Sequence, residues 1–145
     1  MQDFLYFDGW FDHYRLGVLR KVAGLTPQHL VQQSCPPSTM SLIGLVRHLT
    51  EMERAYVWRL AEPRLPLRYV TQANEDADFS DVAPQDVQAN LVTFTEHWER
   101  SRVVMAGRAL DDVLRWHYLY LTKEYARHLG HADLLRERID GATGE

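Results

Sequence analysis

The sequence predicts an all-α fold, and two observations support this prediction. Four stretches repeat their apolar residues with the period of an α-helix, and no stretch of useful length alternates apolar and polar residues like a strand. Each stretch is too weak a helix to stand alone, so we expect the four to bury their apolar sides against one another as a four-helix bundle. At 145 residues the chain is expected to form one domain, over residues 1–145.

The first long helix is predicted from about Phe4 to Ala23, with Gly24 as its natural stop. Thr26 then has the position of a helix cap, and Pro27 that of the first residue of a short helix. The apolar stripe of the long helix consists of Phe4, Phe7, Phe11, Val18 and Val22.

The second long helix is predicted to begin after Ser41 as its N-cap and to run to about Ala61, before Pro63 and Pro66. Its apolar side consists of Leu42, Leu45, Leu49, Met52, Tyr56 and Leu60. Residues 62–83 are rich in Asp, Asn and Pro and have no clear period, so we expect a long connection. A connection of this length suggests a crossover along the bundle rather than a tight turn.

The third and fourth long helices are predicted on both sides of a short break. Pro84 opens the third helix, whose apolar stripe and stop are Val87, Leu91, Phe94, Trp98, Met105 and Gly107. Asp111 or Asp112 caps the fourth helix, which is expected to continue to about Ile139, before Gly141.

Composition excludes several classes of protein. A net charge of −4 argues against a surface that neutralises phosphates or anionic lipid, so we expect neither nucleic acid nor membrane as a partner. The single cysteine, Cys35, excludes an internal disulfide and a multi-thiolate zinc site, and we expect it to be inert rather than a nucleophile. No secretory signal and no membrane-spanning apolar run is recognisable, which favours a soluble cytoplasmic protein.

Ionisable residues interrupt the apolar faces of the second and fourth long helices. His48 shares a face with Leu45 and Met52 and therefore projects toward the core side. The corresponding face of the fourth helix consists of His117, Leu121, Glu124, His128, His131 and Leu135. A carboxylate and several imidazoles on a core-facing side are costly unless they are paired or bind a metal ion.

Helix geometry restricts which of these side chains could share an ion. Residues seven apart lie about 10 Å apart along a helix, whereas ligand atoms approach zinc to about 2 Å. Glu124 with His128 is therefore the better pair, and His128 with His131 the alternative, with His48 as third ligand. Such a set leaves room for water or substrate. The competing interpretation is a hydrogen-bonded core His48 and a Glu124 that pairs with Arg127 on a solvated side.

The sequence resembles the DinB-like superfamily, and most closely its branch of small proteins described as mycothiol transferases. The motifs that carry the resemblance are Ser41–Leu49 with Glu53-Arg54, Leu114-Arg115-Trp116, Lys123–Glu137 and Ile139–Gly144, together with Gly24-Leu25-Thr26. They cover nearly the whole chain apart from the connection between the second and third long helices.

The resemblance implies a four-helix bundle with a long crossover, and a divalent metal ion held by His48, Glu124 and His128. Zinc is the expected ion, with nickel, iron or manganese as alternatives. Many DinB-like proteins have three histidine ligands, whereas Glu124 corresponds to the mycothiol-dependent maleylpyruvate isomerase branch. Close relatives often carry a histidine where this chain has Tyr120, so we expect the pocket or its hydrogen bonding to differ there.

These observations predict a metal-dependent enzyme that acts with a low-molecular-weight thiol, of the S-transferase or isomerase type. The alternatives are a non-catalytic metal- or small-ligand-binding bundle of a stress response, and a metal-dependent hydrolase. His131 is the candidate catalytic residue, for proton transfer or for orienting a ligand. The expected partners are a small-molecule thiol or electrophile and a second copy of the chain, since the first helix offers aromatic rings for a homodimer.

Three further residues have two interpretations each. Arg127 and Arg136 could meet a carboxylate of the thiol, or could be exposed structural arginines. Asp133 could support the metal site from behind, or could simply belong to the surface.

Overall fold

The computed structural model describes residues 2–80, 82–106 and 108–144, with side chains from Tyr6 onward. The helices are α1 (Gln2–Val22), α2 (Pro27–Leu30), α3 (Leu42–Tyr56), α4 (Val87–Ala106) and α5 (Asp112–Asp140), with single 3-10 turns at Trp58–Leu60 and Pro84–Asp86. These described residues include no strand, which confirms the all-α prediction.

The starts of α2, α3 and α5 and the end of α5 have the caps that the sequence predicts. The side chains of Thr26, Ser41 and Asp111 each accept a hydrogen bond from the backbone N–H three residues later. Gly141 ends α5 with a φ of 78°, a left-handed conformation that residues other than glycine adopt at a cost.

Two predicted boundaries need correction. We predicted the second long helix to about Ala61, but α3 ends at Tyr56 and the chain tightens into the 3-10 turn Trp58–Leu60. This turn accompanies the burial of Trp58, whose indole N–H donates to Ser101 Oγ of α4 at 3.2 Å. Likewise Pro84 opens a 3-10 turn, and α4 begins only at Val87. The predicted stop at Gly107 and the side chain of Phe4 lie outside the described residues.

The four long helices bury their apolar stripes against one another. Helix α3 packs on α4, α5 and α1, and α1 packs along α5. The most deeply buried apolar side chains are Phe11 of α1, Leu42, Ile43, Val46 and Leu49 of α3, Phe94 of α4, and Tyr118, Leu121 and Tyr125 of α5. No helix among the described residues is long and apolar enough to cross a membrane.

A buried ion pair joins these helices through the core. The guanidinium of Arg15 binds both carboxylate oxygens of Glu53, at 2.8 and 3.0 Å, and both side chains are almost completely buried. The Tyr125 hydroxyl donates to the same carboxylate at 2.8 Å, while Asp12 accepts from Arg15 and from the Trp98 indole. One polar network therefore joins α1, α3, α4 and α5. It helps to hold the helices that carry the site in fixed positions relative to one another.

The connection between Leu60 and Pro84 lies against α3. Buried Glu51 accepts hydrogen bonds from the backbone N–H groups of residues 68–70. Arg47 donates to the carbonyl of Ala77 at 2.6 Å and to that of Ser80 at 3.0 Å. Gly44 permits the close approach, because a Cβ there would lie 3.3 Å from the carbonyl oxygen of Phe79. These contacts hold residues 77–80 beside the middle of α3.

Candidate metal centre

His48 on α3 and the pair Glu124 and His128 on α5 lie together where the two helices pack. Each offers one ligand atom, and these atoms lie within 4.8 Å of one another. Glu124 and His128 are one helical turn apart, so α5 presents both on one face. Packing of α3 against α5 brings His48 opposite them. Both residues of α5 are buried, and His48 is partly buried.

The distances within this group suit ligands that share an ion. Glu124 Oε2 lies 3.6 Å from His48 Nε2 and 3.4 Å from His128 Nε2, and neither approach is a hydrogen bond. Ligand atoms about 2 Å from a tetrahedral ion are about 3.3 Å from one another. His48 Nε2 is also a buried nitrogen without a hydrogen-bond partner among the described residues. A buried unpaired imidazole nitrogen is costly, so the donor set fits a divalent metal ion.

Glu124 and His128 have the protonation states that ligands need at neutral pH. Burial raises the pKa of the Glu124 carboxyl, but Lys123, together with His128 and His48, outweighs burial and leaves the pKa below its usual value. Burial, with the neighbouring His48, lowers the pKa of His128 to about 4. An ionised carboxylate and a neutral imidazole result, which are the forms that bind metal ions.

Residues 77–80 supply the surroundings of His48. Its Nδ1 donates to Asp78 Oδ2 at 2.7 Å, and the Asp78 side chain is almost completely buried. Its ring stacks on Phe79 at a centroid distance of 4.7 Å and an angle of 22°. With Nδ1 occupied, the free Nε2 faces Glu124 and His128.

Lys123 and Tyr120 lie on the other side of Glu124. The Lys123 ammonium is 2.8 Å from Glu124 Oε1, which leaves Oε2 for the two imidazoles. The same ammonium lies 3.8 Å from the centroid of the Tyr120 ring, and that ring packs on Tyr56 at 4.2 Å. Burial and a hydrogen bond with Tyr120 raise the pKa of Tyr56 to about 12. The Tyr120 ring thus packs against the Lys123 side chain that pairs with Glu124.

His131 contacts the group without belonging to it. Its Nδ1 is 3.2 Å from His128 Nδ1, a hydrogen bond in which one ring donates to the other. His131 is partly buried and is not among the three residues whose ligand atoms converge. His117, on the same face of α5, lies among Tyr56 and Trp116 instead, and burial lowers its pKa.

A pocket of about 690 Å³ opens beside the three candidate ligands. Exposed Arg127 lines this pocket, whereas Glu124 is buried and its carboxylate pairs with Lys123 at 2.8 Å. The residues that line the pocket are Gln33, Thr39, Met40, His48, Asp76, Phe79, Ser80, Glu124, Arg127, His128 and His131. A small molecule could therefore approach the candidate ligands directly.

Other polar residues that the sequence singled out have different contacts. Arg136 pairs with Asp140 at 2.8 Å and donates to the carbonyls of Lys21 and Ala23, so it caps the end of α1. Asp133 pairs with Lys21 at 2.6 Å. Cys35 is partly exposed, and its Sγ lies 3.7 Å from the carbonyl of Leu134.

Sequence reasoning missed Asp78 and Lys123. Asp78 is one of several acidic residues in an aperiodic connection, and nothing in its neighbourhood distinguishes it from Glu75 or Asp76. Lys123 precedes Glu124 directly, and residues adjacent in a helix do not ordinarily face each other. Its position next to a candidate ligand was the only available signal.

A comparison with protein families tests the resemblance. A family model described as mycothiol S-transferase matches residues 6–141, which is nearly the whole chain, and confirms the resemblance that the motifs indicated. A search among curated proteins and a search among solved structures each found no match.

Proposed function

The chain belongs to the mycothiol S-transferase family, and from that premise we propose that it is a metal-dependent thiol S-transferase. In this proposal His48, Glu124 and His128 hold one divalent ion, with zinc as the first candidate and nickel, iron or manganese as alternatives. The observation that carries the proposal is the buried Nε2 of His48, unpartnered and aimed at a carboxylate oxygen beside an open pocket.

The ion's contribution, when bound, is to lower the pKa of a thiol and to hold the thiolate next to an electrophile. The protein's own side chains provide the surroundings. Lys123 balances part of the charge of Glu124 and keeps Oε1 engaged, so Glu124 offers a single oxygen. Two imidazoles and one carboxylate oxygen leave further positions open for a small thiol.

His131 is our candidate for proton transfer. If His128 uses Nε2 as ligand, its Nδ1 carries the proton and donates to His131 Nδ1. A neutral His131 then holds its own proton on Nε2. Because this ring lines the pocket, it is in a position to exchange that proton with a bound molecule. Arg127, on the pocket wall, would attract an anionic group of the thiol or of the electrophile.

We extend the proposal to the whole molecule. The four long helices form one DinB-like bundle domain over residues 1–145, with the connection from Ala61 to Ala83 as its crossover. The expected location is the cytoplasm, where low-molecular-weight thiols stay reduced. We also propose a homodimer through α1, because Tyr6 and Trp10 are 65% and 46% exposed and lie next to each other.

A cobalt-substituted protein tests the proposed function. Addition of mycothiol should produce a sulfur-to-metal charge-transfer band, because thiolate coordination creates a transition that water and imidazole do not. The same protein loaded with zinc should consume an electrophile such as a chlorodinitrobenzene only when the thiol is present. His128→Ala is the control and should lack the band.

Two other outcomes would change the assignment. If the protein binds the metal ion but no small thiol alters the spectrum, thiol transfer is wrong, and a hydrolase or a non-catalytic binding role takes its place. If elemental analysis of untagged protein finds no stoichiometric divalent ion after incubation with zinc or cobalt, the metal centre itself is wrong.

A further inference from the structure

Asp78 is not among the three candidate ligands, yet both of its oxygens are engaged next to them. Oδ2 accepts the hydrogen bond from His48 Nδ1 at 2.7 Å, and Oδ1 accepts one from the backbone N–H of Phe79 at 3.1 Å. The residue is only 3% exposed. An ionised carboxylate can only accept hydrogen bonds, so the proton between Asp78 and His48 belongs to Nδ1.

This arrangement determines which nitrogen of His48 is free. A neutral imidazole carries one N–H and one lone pair, and a proton on Nδ1 leaves the lone pair on Nε2. Nε2 is the atom that faces Glu124 Oε2 at 3.6 Å. We propose that Asp78 is a positioning residue of the metal centre, which fixes His48 in the tautomer and orientation that bind the ion. This inference rests on the proposed metal centre and assigns a role there to the long connection.

The connection holds Asp78 rigidly enough for this role. Arg47, on the turn of α3 that carries His48, binds the carbonyls of Ala77 and Ser80, on both sides of Asp78. Phe79 stacks on the imidazole and limits its rotation. The sequence on each side of Asp78 is therefore bound to α3 independently of the carboxylate, so replacing the carboxylate should not release the segment.

The asparagine variant distinguishes positioning from anchoring. In Asp78→Asn the amide oxygen can stay on the Phe79 N–H, and the amide NH₂ then faces His48 Nδ1. Because that NH₂ donates, the imidazole must accept through Nδ1 and carry its proton on Nε2, where the ion would bind. If Asp78 only anchored the connection, replacement by asparagine would weaken Zn²⁺ binding slightly and replacement by alanine would weaken it strongly. A positioning role predicts that asparagine weakens Zn²⁺ binding at least as much as alanine does.

The test is a competition titration of metal-free protein with Zn²⁺ against a chromogenic chelator. We expect Asp78→Asn to weaken Zn²⁺ binding by about 10- to 100-fold, the range for partners that orient a metal-binding histidine. Glu75→Gln is the matched control, since it makes the same carboxylate-to-amide change three residues earlier, on an exposed side chain that does not line the pocket, and it should bind Zn²⁺ like wild type. Circular dichroism should show the same helix content in all three proteins.

A spectroscopic readout accompanies the titration. In ¹⁵N-histidine spectra of the metal-free protein, His48 should show a protonated Nδ1 in wild type and Glu75→Gln, and a protonated Nε2 in Asp78→Asn. Wild-type Zn²⁺ affinity in Asp78→Asn, or an unchanged His48 tautomer, overturns the positioning role and leaves the metal centre intact. A wild-type protein that binds no Zn²⁺ overturns the metal centre and this inference together.

Discussion

At the scale of single residues, the candidate site depends on one carboxylate oxygen that two imidazoles approach from different helices. Glu124 Oε2 lies 3.6 Å from His48 Nε2 and 3.4 Å from His128 Nε2, longer than an ordinary hydrogen bond, and all three side chains are largely withdrawn from solvent. Two histidines directed at one oxygen without bonding to it are costly as a purely structural arrangement. A shared cation removes that cost. Loss of this cation should be measurable in variants of each ligand residue.

We expect His48→Ala, Glu124→Ala and His128→Ala each to lose most of the bound divalent ion, since even groups that only orient ligands contribute about tenfold or more to affinity. Helix content should stay near that of wild type. Inductively coupled plasma mass spectrometry of the purified variants, together with circular dichroism, measures both quantities.

His131→Ala is the matched control, because it removes an imidazole one turn further along α5 that contacts His128 but lies outside the converging group. It should keep a stoichiometric ion when the metal is in excess, with a lower affinity because His128 loses the hydrogen bond that orients its ring. A site that empties on loss of His131 and stays filled on loss of Glu124 would identify the pair of His128 and His131 as ligands instead.

The spacing of residues on α5 made part of this site predictable. The part contributed by the connection between α3 and α4 was not predictable. Glu124 and His128 are four apart on a core-facing stripe, so helix geometry alone brings them together. His48 was selected as their partner from its place on the stripe of α3, and the family resemblance pointed to the same residue. Asp78 was not predictable, because its hydrogen bond to His48 spans 30 positions and comes from a segment without a period.

At the scale of helices, the core contains charges that the apolar stripes did not indicate. Arg15 and Glu53 are 1% and 0% exposed and form a two-point ion pair between α1 and α3. Glu51, also fully buried, binds the backbone of the connection. Sequence periodicity locates faces of helices, but it does not show which charged residue at the border of a face finds a partner inside. The extent of the core was therefore predicted well, and its polar contacts were not.

Removing one partner of the buried pair should destabilise the protein strongly. Arg15→Met keeps much of the side-chain volume but leaves Glu53 buried without its cation, so we expect the free energy of unfolding to fall by about 3–5 kcal/mol. Urea denaturation followed by circular dichroism measures the change.

Arg102→Met is the control for this variant. Arg102 is about half exposed, lies 3.9 Å from Asp12 and from Glu99, and should contribute less than about 1 kcal/mol. The double variant Arg15→Met with Glu53→Met should recover part of the loss, since neither charge then remains unpaired. Equal effects of Arg15→Met and Arg102→Met would show that the buried pair does not stabilise the fold as argued.

At the scale of the whole molecule, the exposed rings of α1 bear on assembly. Tyr6 and Trp10 contact each other edge to face, and both side chains are exposed. We expect a homodimer at micromolar concentration in sedimentation velocity, and Trp10→Ser should shift it toward monomer. A wild-type monomer throughout that range would contradict the proposed dimer.

Global stability should also depend on pH through His97. This residue of α4 is only 4% exposed and packs against the turn after α3. Its ring stacks on Trp58 at 4.0 Å, and its Nδ1 donates to the carbonyl of Thr93. Burial, with the cations Arg54 and Arg68 nearby, lowers the pKa of His97 to about 4. In the unfolded chain the same imidazole has a pKa of about 6.5.

The direction of the effect follows from proton counting. Between about pH 6.5 and pH 4 the unfolded chain binds a proton at His97 that the folded protein does not, so acidification favours unfolding. The contribution of His97 to the free energy of unfolding is therefore fully present above about pH 6.5. It falls by up to about 3 kcal/mol as the pH approaches 4. Below the folded pKa both states are protonated, and the contribution changes no further.

Urea denaturation at a series of pH values, in the presence of a chelator, measures this dependence in wild type and in His97→Gln. His128 also has a lowered pKa and titrates in the same direction, but it is common to both proteins and cancels in the comparison. The free energy of unfolding should fall less steeply in His97→Gln than in wild type between pH 6.5 and 4. Parallel curves would mean that His97 is protonated equally in the folded and unfolded states, which would contradict its burial against Trp58 as the source of the low pKa.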